Sequence, residues 1–296
     1  MTTLTQTQAQ PKNTFKGLEN IVSNIFDVQK VQLISSINGY ETPESFGVYN
    51  ALNKKCLGVV GGQYTPTQPA ELLSNFIECL DDNGVNTDEL TYKELKGGSK
   101  VLFNAPYKNI SFTNKKGLQD ESVISINIQT GYDGLTKTSL YLSMYRMICS
   151  NGMKANTTEF TVSYKNTAGN KHRINSLCPD VAKSLNMFDE LESLILHLNS
   201  VPVNSLVVAN FLKDLTGIDI AKKDELSTRS TNIYADLLRS IEKEFNRTGA
   251  TAWGLLNGIT YYTNHVATAE SREDYILIDK GASLNAKAQE LVRAIR

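Results

Sequence analysis

The sequence predicts an α+β protein, a central antiparallel β-sheet flanked by N-terminal and C-terminal helices. Three observations carry that expectation. Short β-branched and aromatic runs crowd the stretch from residue 91 to residue 165. Within it, Ile124 to Ile128 alternates apolar and polar residues with the period of a strand. Beyond residue 178, apolar residues recur at the spacing of a helical face.

In chain order, Leu18, Ile21, Val22, Ile25, Phe26 and Val28 fall on one helical face, so a helix is expected from Phe15 to about Val31. Phe46 to Val60 turns β-like and runs into Gly61-Gly62. The glycines at 58, 61 and 62 suggest a bulge or a turn of positive φ. Gln68 to Leu80 reads as a helix with Pro69 in its first turn and Asn83-Gly84 beyond its end. Val101–Phe103 and Ile110–Phe112 are two short strands separated by Pro106. Residues 122–146 form a β-hairpin about the turn Gly131-Tyr132-Asp133-Gly134, and Phe160–Tyr164 is a further strand. One helix is expected over 178–198, then others over 204–215, 231–245, 251–267 and from an N-cap at Ser283 to Ile295.

The domain reading follows. Residues 1–14, rich in Thr and Gln, form a disordered tail. Residues 15–200 form an α+β domain with a basic β-rich block at 91–175, and residues 201–296 are a helical part packed on the same domain. The 296 residues are ample for a buried core, and 41% hydrophobic with 21% charged residues is ordinary globular composition. The N-terminus has no apolar segment of a secretory signal and no run is long enough to span a membrane. A reducing cytoplasm with free, buried thiols is the expected setting of Cys56, Cys79, Cys149 and Cys178. No cofactor is implied. The three His and four Cys have no zinc spacing, so no metal site is expected either.

The net charge of −1 excludes a polycation, yet the charge is unevenly spread. Residues 1–92 hold five Lys+Arg against ten Asp+Glu, residues 93–173 twelve against five, and residues 174–296 thirteen against sixteen. The β-rich block is therefore the basic part of a neutral chain, and aromatic residues are interleaved with its cations. Single-stranded nucleic acid is held by such a combination, cations on the phosphates and rings on the bases. The candidate contacts are Lys108, Lys115, Lys116, Lys137, Arg146, Lys165, Lys171 and Arg173, with Tyr107 and Tyr132 as stacking rings. The competing reading is a solvated lysine face that keeps a sheet from pairing at its edges.

Other candidates are weaker. Gly97-Gly98-Ser99-Lys100 precedes a strand, which favours a turn over a phosphate loop. Asp133 in the hairpin turn reads as a residue bonding its own backbone. Cys149 has no histidine that the sequence places beside it, and His265 near a helix end reads as a packing feature. An enzyme using Asp133, Arg146 and His265 needs the three in one cleft. No catalytic residue is assigned.

Three segments together resemble a known family. They are Gly58 to Tyr64 with Thr67-Gln68-Pro69; Thr130 to Gly134 followed by Arg146 to Gly152; and Trp253 to Thr260 with Asn264-His265 and Lys280-Gly281. Their order and spacing are similar to the phage/plasmid-like proteins of domain-of-unknown-function family 932, over most of the chain from about residue 40. The family hairpin usually reads Ser-His-Asp-Gly, so Tyr132 stands here in the place of its histidine, and no role of that histidine carries over. The Arg-x-x-Cys-x-Asn element is present as Arg146, Cys149 and Asn151. The resemblance implies a mobile-element protein in a bacterial cytoplasm, near DNA replication or recombination, and brings no established activity. The expected function is binding of single-stranded DNA, with strand annealing by a homo-oligomer. The alternative is a non-enzymatic interaction protein that binds a host protein.

Overall fold

The computed structural model describes residues 14–37, 39–146 and 155–295, without the side chains of 145, 146, 155–159 and 223. Residues 1–13 of the expected tail, the Arg146 side chain, Cys149 and Asn151 lie outside the described residues. The class is α+β, with antiparallel sheets of six and three strands. By its contacts the chain divides into two compact units. The first is Met1–Ala105, Asn127–Ser139 and Ser163–Cys178; the second is Pro106–Ile126, Leu140–Val162 and Pro179–Arg296.

The first unit opens with strand β1 (Thr14–Lys16), helix α1 (Leu18–Asn24) and strand β2 (Val28–Ile34) where one long helix was expected. Only Ile21 of α1 is buried, so the apolar stripe anchors less than two turns. Ile25 then takes an extended backbone, Phe26 is buried from the link that follows, and Val28 opens strand β2. β2 pairs antiparallel with β3 (Glu41–Asn50), and β3 with β4 (Cys56–Val60). The register shifts between Val48 and Tyr49, so the expected bulge is present, at Leu57. Gly58, Gly61 and Gly62 do not take the positive φ that was expected of them. Helix α2 (Pro69–Asp82) buries Leu72, Leu73, Phe76, Cys79 and Leu80.

The six-stranded sheet runs β1, β5 (Thr91–Leu95), β6 (Lys100–Thr113), β7 (Gln119–Gly131), β8 (Thr138–Arg146), β9 (Ala155–Tyr164). Phe15, Tyr92 and Phe103 are cross-strand partners in β1, β5 and β6, and their rings stack at 5.7 and 5.2 Å. Gly97-Gly98 makes the turn between β5 and β6. β6 is one strand through Pro106, not two. Its pairing with β5 ends at Asn104, so the proline stands where that side of the strand has no partner to miss its N–H. β7 and β8 form the expected hairpin.

The short helix α3 (Lys171–Ile174) closes the first unit, and in the second unit the expected helix over 178–198 is two, α4 (Cys178–Asn186, whose first residue belongs to the first unit) and α5 (Phe188–Ser200), separated at Met187. Helix α6 (Ser205–Thr216) follows, capped by Asn204 and by Gly217 in the left-handed region. Helix α7 (Thr228–Thr248) packs along α8 (Ala252–Tyr261), which is buried from Ala252 to Thr260. A Cβ at Gly258 would lie 2.5 Å from the Ile241 Cα, so glycine sets that helix spacing. Trp253 is enclosed, its ring edge-on to Phe112 at 5.8 Å and its Nε1 donating to Asp120 at 3.2 Å. A π-helical turn, Tyr262–Val266, continues α8. The last helices are α9 (Arg272–Leu277), which was not expected, and α10 (Lys280–Arg293). α10 starts at an Asp279 cap rather than at Ser283.

The cysteines depart from expectation. Cys79 and Cys178 form a disulfide across 99 residues of sequence, and Cys56 is exposed rather than buried. Among the described residues no helix is long and apolar enough to cross a membrane. Closing a loop of that length is expected to contribute about 2–5 kcal/mol. Non-reducing peptide mapping should recover the Cys79–Cys178 pair, and the Cys79→Ser, Cys178→Ser double variant should lose that stability in urea titration. Free alkylation of both thiols in the native protein without reductant would contradict the pairing.

Candidate functional site

Two places in the structure concentrate polar chemistry, and each lies within one unit. The first is the tip of the β7–β8 hairpin. Gly58 of β4 has no room for a side chain, because a Cβ there would lie 2.4 Å from the Tyr132 carbonyl oxygen and 2.6 Å from the Asp133 Cα. Backbone thus meets backbone, and the hairpin tip seats directly on β4. Tyr132 is fully buried as a result, its hydroxyl donating to the Thr67 carbonyl at 3.1 Å. This corrects its sequence-based assignment as a base-stacking ring, since an enclosed ring offers no face to a ligand.

Below the tip, Asn166 ties the chain together. Its Nδ2 donates to the carbonyls of Gly131 and Thr136, both at 3.2 Å, and its Oδ1 accepts from the Thr138 hydroxyl at 2.6 Å. The Tyr64 hydroxyl donates to the same Gly131 carbonyl. Burial pushes the Tyr64 pKa upward, which keeps it a donor. Asp133 accepts from the Thr136 N–H at 2.7 Å, the Thr136 hydroxyl at 2.8 Å and the Leu135 N–H at 3.0 Å, with Lys100 at 3.7 Å. Partial burial opposes its ionisation, but these donors and Lys100 outweigh it and hold its pKa below the usual value. Asp133 is therefore the turn residue the sequence suggested. Every group here is engaged in holding the hairpin.

The second place is on the helical unit and is open to solvent. The Lys243 ammonium of α7 sits 4.1 Å from the centre of the Tyr261 ring and donates to its hydroxyl. Tyr261 in turn packs on His265, one turn further along, with ring centres 4.7 Å apart. Burial, then the neighbouring Lys243 and Arg272, hold the His265 imidazole below its ordinary pKa against the pull of Glu244. Arg272 is fixed by its bond to the Thr263 carbonyl at 2.7 Å and lies 5.9 Å from the Tyr275 ring. The π-helical turn aims His265 outward while Thr263 and Asn264 stay buried.

The β6–β7 turn meets the C-terminal end of the same α7. Asn114 donates to the Arg247 carbonyl at 3.3 Å, and a Cβ at Gly249 would lie 2.7 Å from the Lys115 Cβ. Lys115 and Lys116 are exposed and have no acidic partner among the described residues. The other predicted cations are distributed as follows. Lys108 faces Asp189 and Glu192 at 4.0 and 3.7 Å and lies over the Phe188 ring, which also packs on Tyr107. Its charge is thus locally neutralised. Lys137, Lys165, Lys171 and Arg173 belong to the other unit, where Lys171 pairs with Glu71 at 3.3 Å. Lys137 and Lys165 flank adjacent ends of β8 and β9 and are exposed. Asp133 and His265 fall in different units, and no group of His, Cys, Asp and Glu among the described residues could hold a metal ion.

Sequence reasoning missed Lys243, Tyr261, Arg272 and Tyr275 as a group. The Tyr261–His265 spacing of one helical turn was visible, but Lys243 reaches it only through the packing of α7 on α8. The fold is that of an α+β protein with a cationic and aromatic cluster on its helical unit. The chain belongs to the family described as domain of unknown function (DUF932), whose model matches residues 56–289. No curated protein and no solved structure matches it. The matched range contains both the Gly58–Tyr132 contact and the Lys243–Tyr261–His265 cluster.

Two expectations test these geometries. Gly58→Ala should destabilise the protein by about 1–3 kcal/mol through overpacking, while Gly61→Ala, with open space around it, should stay within about 0.5 kcal/mol; thermal unfolding separates the two. Asp133 has a lowered folded pKa, so its stabilisation is complete above the ordinary value of 3.8 and is lost as pH falls through the lower folded value. Asp133→Asn should therefore lower the urea midpoint at pH 7, by about 1 kcal/mol of stability, and the difference should shrink as the pH is taken below 3.8.

Proposed function

We propose that this protein binds single-stranded nucleic acid, DNA in a mobile-element setting, along the exposed strip formed by Lys115, Lys116 and α7 up to Tyr261 and His265. The observations that carry the reading are the stacked set Lys243, Tyr261 and His265, and the exposed Lys115 and Lys116 at the turn that meets the C-terminal end of the same α7. Phosphates would lie on Lys115, Lys116 and Lys243. A base would pack on the exposed imidazole of His265, which stays neutral near pH 7 and so behaves as a ring rather than a fixed charge. The net charge of −1 suits such a protein, because binding is then confined to the strip instead of spread over the surface.

A second reading, a non-enzymatic protein that binds a host protein, draws on the exposed apolar end of the β2–β3 hairpin, where Ile37 is 95% and Tyr40 74% exposed.

Fluorescence anisotropy with a labelled oligothymidine at two or more salt concentrations tests the first reading. Lys115→Glu with Lys116→Glu should weaken binding and reduce the salt slope by roughly 0.7 for each phosphate no longer neutralised. His265→Ala should cost about 1–3 kcal/mol at unchanged slope. Absence of binding at low salt, or binding insensitive to these substitutions, would contradict it and favour the protein-binding reading.

A further inference from the structure

The three-stranded sheet has two outer edges, and they are treated differently. The β4 edge is covered: the hairpin tip sits against Gly58, and Gly134 approaches the Val59 carbonyl at 3.2 Å from its would-be Cβ. The β2 edge is not. Asp27 and the odd-numbered residues of β2 turn their main-chain groups toward β3, as the bond from the Ala51 N–H to the Asp27 carbonyl shows. The even-numbered residues turn theirs outward. At Val28 those outward groups are satisfied by a side-chain amide, Gln68, which accepts from the Val28 N–H at 3.0 Å and donates to its carbonyl at 2.9 Å. Gln68 thereby imitates one residue of a neighbouring strand. Beyond it, the main-chain N–H and C=O of Lys30 and Gln32 have no partner among the described residues.

Two of the usual guards of an exposed edge, a proline and an outward charge, are missing from β2, although its pairing with β3 shifts register between Gln32 and Ile34. β2, Val-Gln-Lys-Val-Gln-Leu-Ile, contains no proline, and its single charge is turned away. The Lys30 ammonium donates to the carbonyls of Gly62 and Tyr64, both at 2.7 Å, and lies over the Phe46 ring. Val31 and Ile34 remain exposed beside the open groups.

We propose that β2 pairs antiparallel with β2 of a second copy of this chain, joining two three-stranded sheets into one continuous sheet across a two-fold axis at Val31. The sequence of the strand fits a second copy as partner in this register. Centred on Val31, the pairing sets Lys30 opposite Gln32 of the second copy, so the outward main-chain groups meet as hydrogen-bonded pairs. Gln29 then faces Leu33 of the second copy, and Val31 faces its own symmetry mate. A register centred on Lys30 would oppose two like charges, and the net charge of −1 sets no long-range repulsion between copies. The interface is self-complementary, as a two-fold dimer requires. Gln68 stops the ladder at one end by occupying Val28.

Sedimentation analysis of the full chain over a concentration series tests this, with two variants. Val31→Lys places two ammonium groups against each other at the axis and should weaken self-association by about tenfold or more at unchanged unfolding temperature. Val31→Cys in a Cys56→Ser background should form an interchain disulfide under mild oxidation, because facing residues of a non-hydrogen-bonded antiparallel pair lie about 4.5 Å apart at Cα, within disulfide range. A wild-type chain that stays monomeric at every concentration overturns the proposal. So does a dimer that tolerates Val31→Lys, or one in which the Val31→Cys variant fails to cross-link.

Discussion

The Tyr132 carbonyl occupies the space that a side chain at position 58 would need, and much of the first unit follows from that contact. Because the hairpin tip rests on β4, Tyr132 is enclosed and Asp133 must satisfy its own turn. The Gly131 carbonyl is placed where Tyr64 and Asn166 both reach it. Asn166, from the segment after β9, then binds the two strands of the hairpin to each other through Gly131 of β7 and Thr138 of β8. A buried polar network of this kind holds one arrangement strongly because each unsatisfied member would cost about 1–3 kcal/mol.

The helical unit uses the same device once more. Gly258 lets α8 approach Ile241 of α7 backbone to backbone, and α8 is buried along nearly its whole length. That close packing brings Lys243 onto Tyr261. The π-helical turn at the end of α8 then places His265 on the surface beside them. The motif residues Trp253 to Thr260 therefore act by packing, and the exposed chemistry sits at the margin of the motif.

Much of the fold was legible from local pattern. Pro69 and Asn83-Gly84 bracket α2 as the sequence indicated, and the Ile124–Ile128 alternation lies within β7. The errors came where tertiary partners decide. The stripe from Leu18 to Val28 has helical spacing, but within α1 only Ile21 is buried, and the chain leaves the helix at Ile25 so that Phe26 and Val28 enter the core from the link and from β2. Pro106 looked like a strand boundary because the sequence does not show that β5 ends first. The site was less legible than the fold. Charge counting located a basic block but could not tell that Lys108 faces Asp189 and Glu192, that Lys171 faces Glu71, or that Tyr132 is buried. Nor does any local pattern bring Lys243, eighteen residues before Tyr261, onto that ring. The Cys79–Cys178 pairing across 99 residues was likewise invisible to spacing.

Under the proposed function the labour is divided: the hairpin motif builds the fold, and Lys115, Lys116, Lys243, Tyr261 and His265 would meet the ligand. Hydrogen–deuterium exchange of the full chain, with and without a single-stranded oligonucleotide, tests it most directly. New protection is expected in the 113–118 turn and over 259–267, with the 131–137 tip unchanged. Protection confined to the hairpin tip and the adjoining ends of β8 and β9, with the α7–α8 strip unaffected, would contradict it.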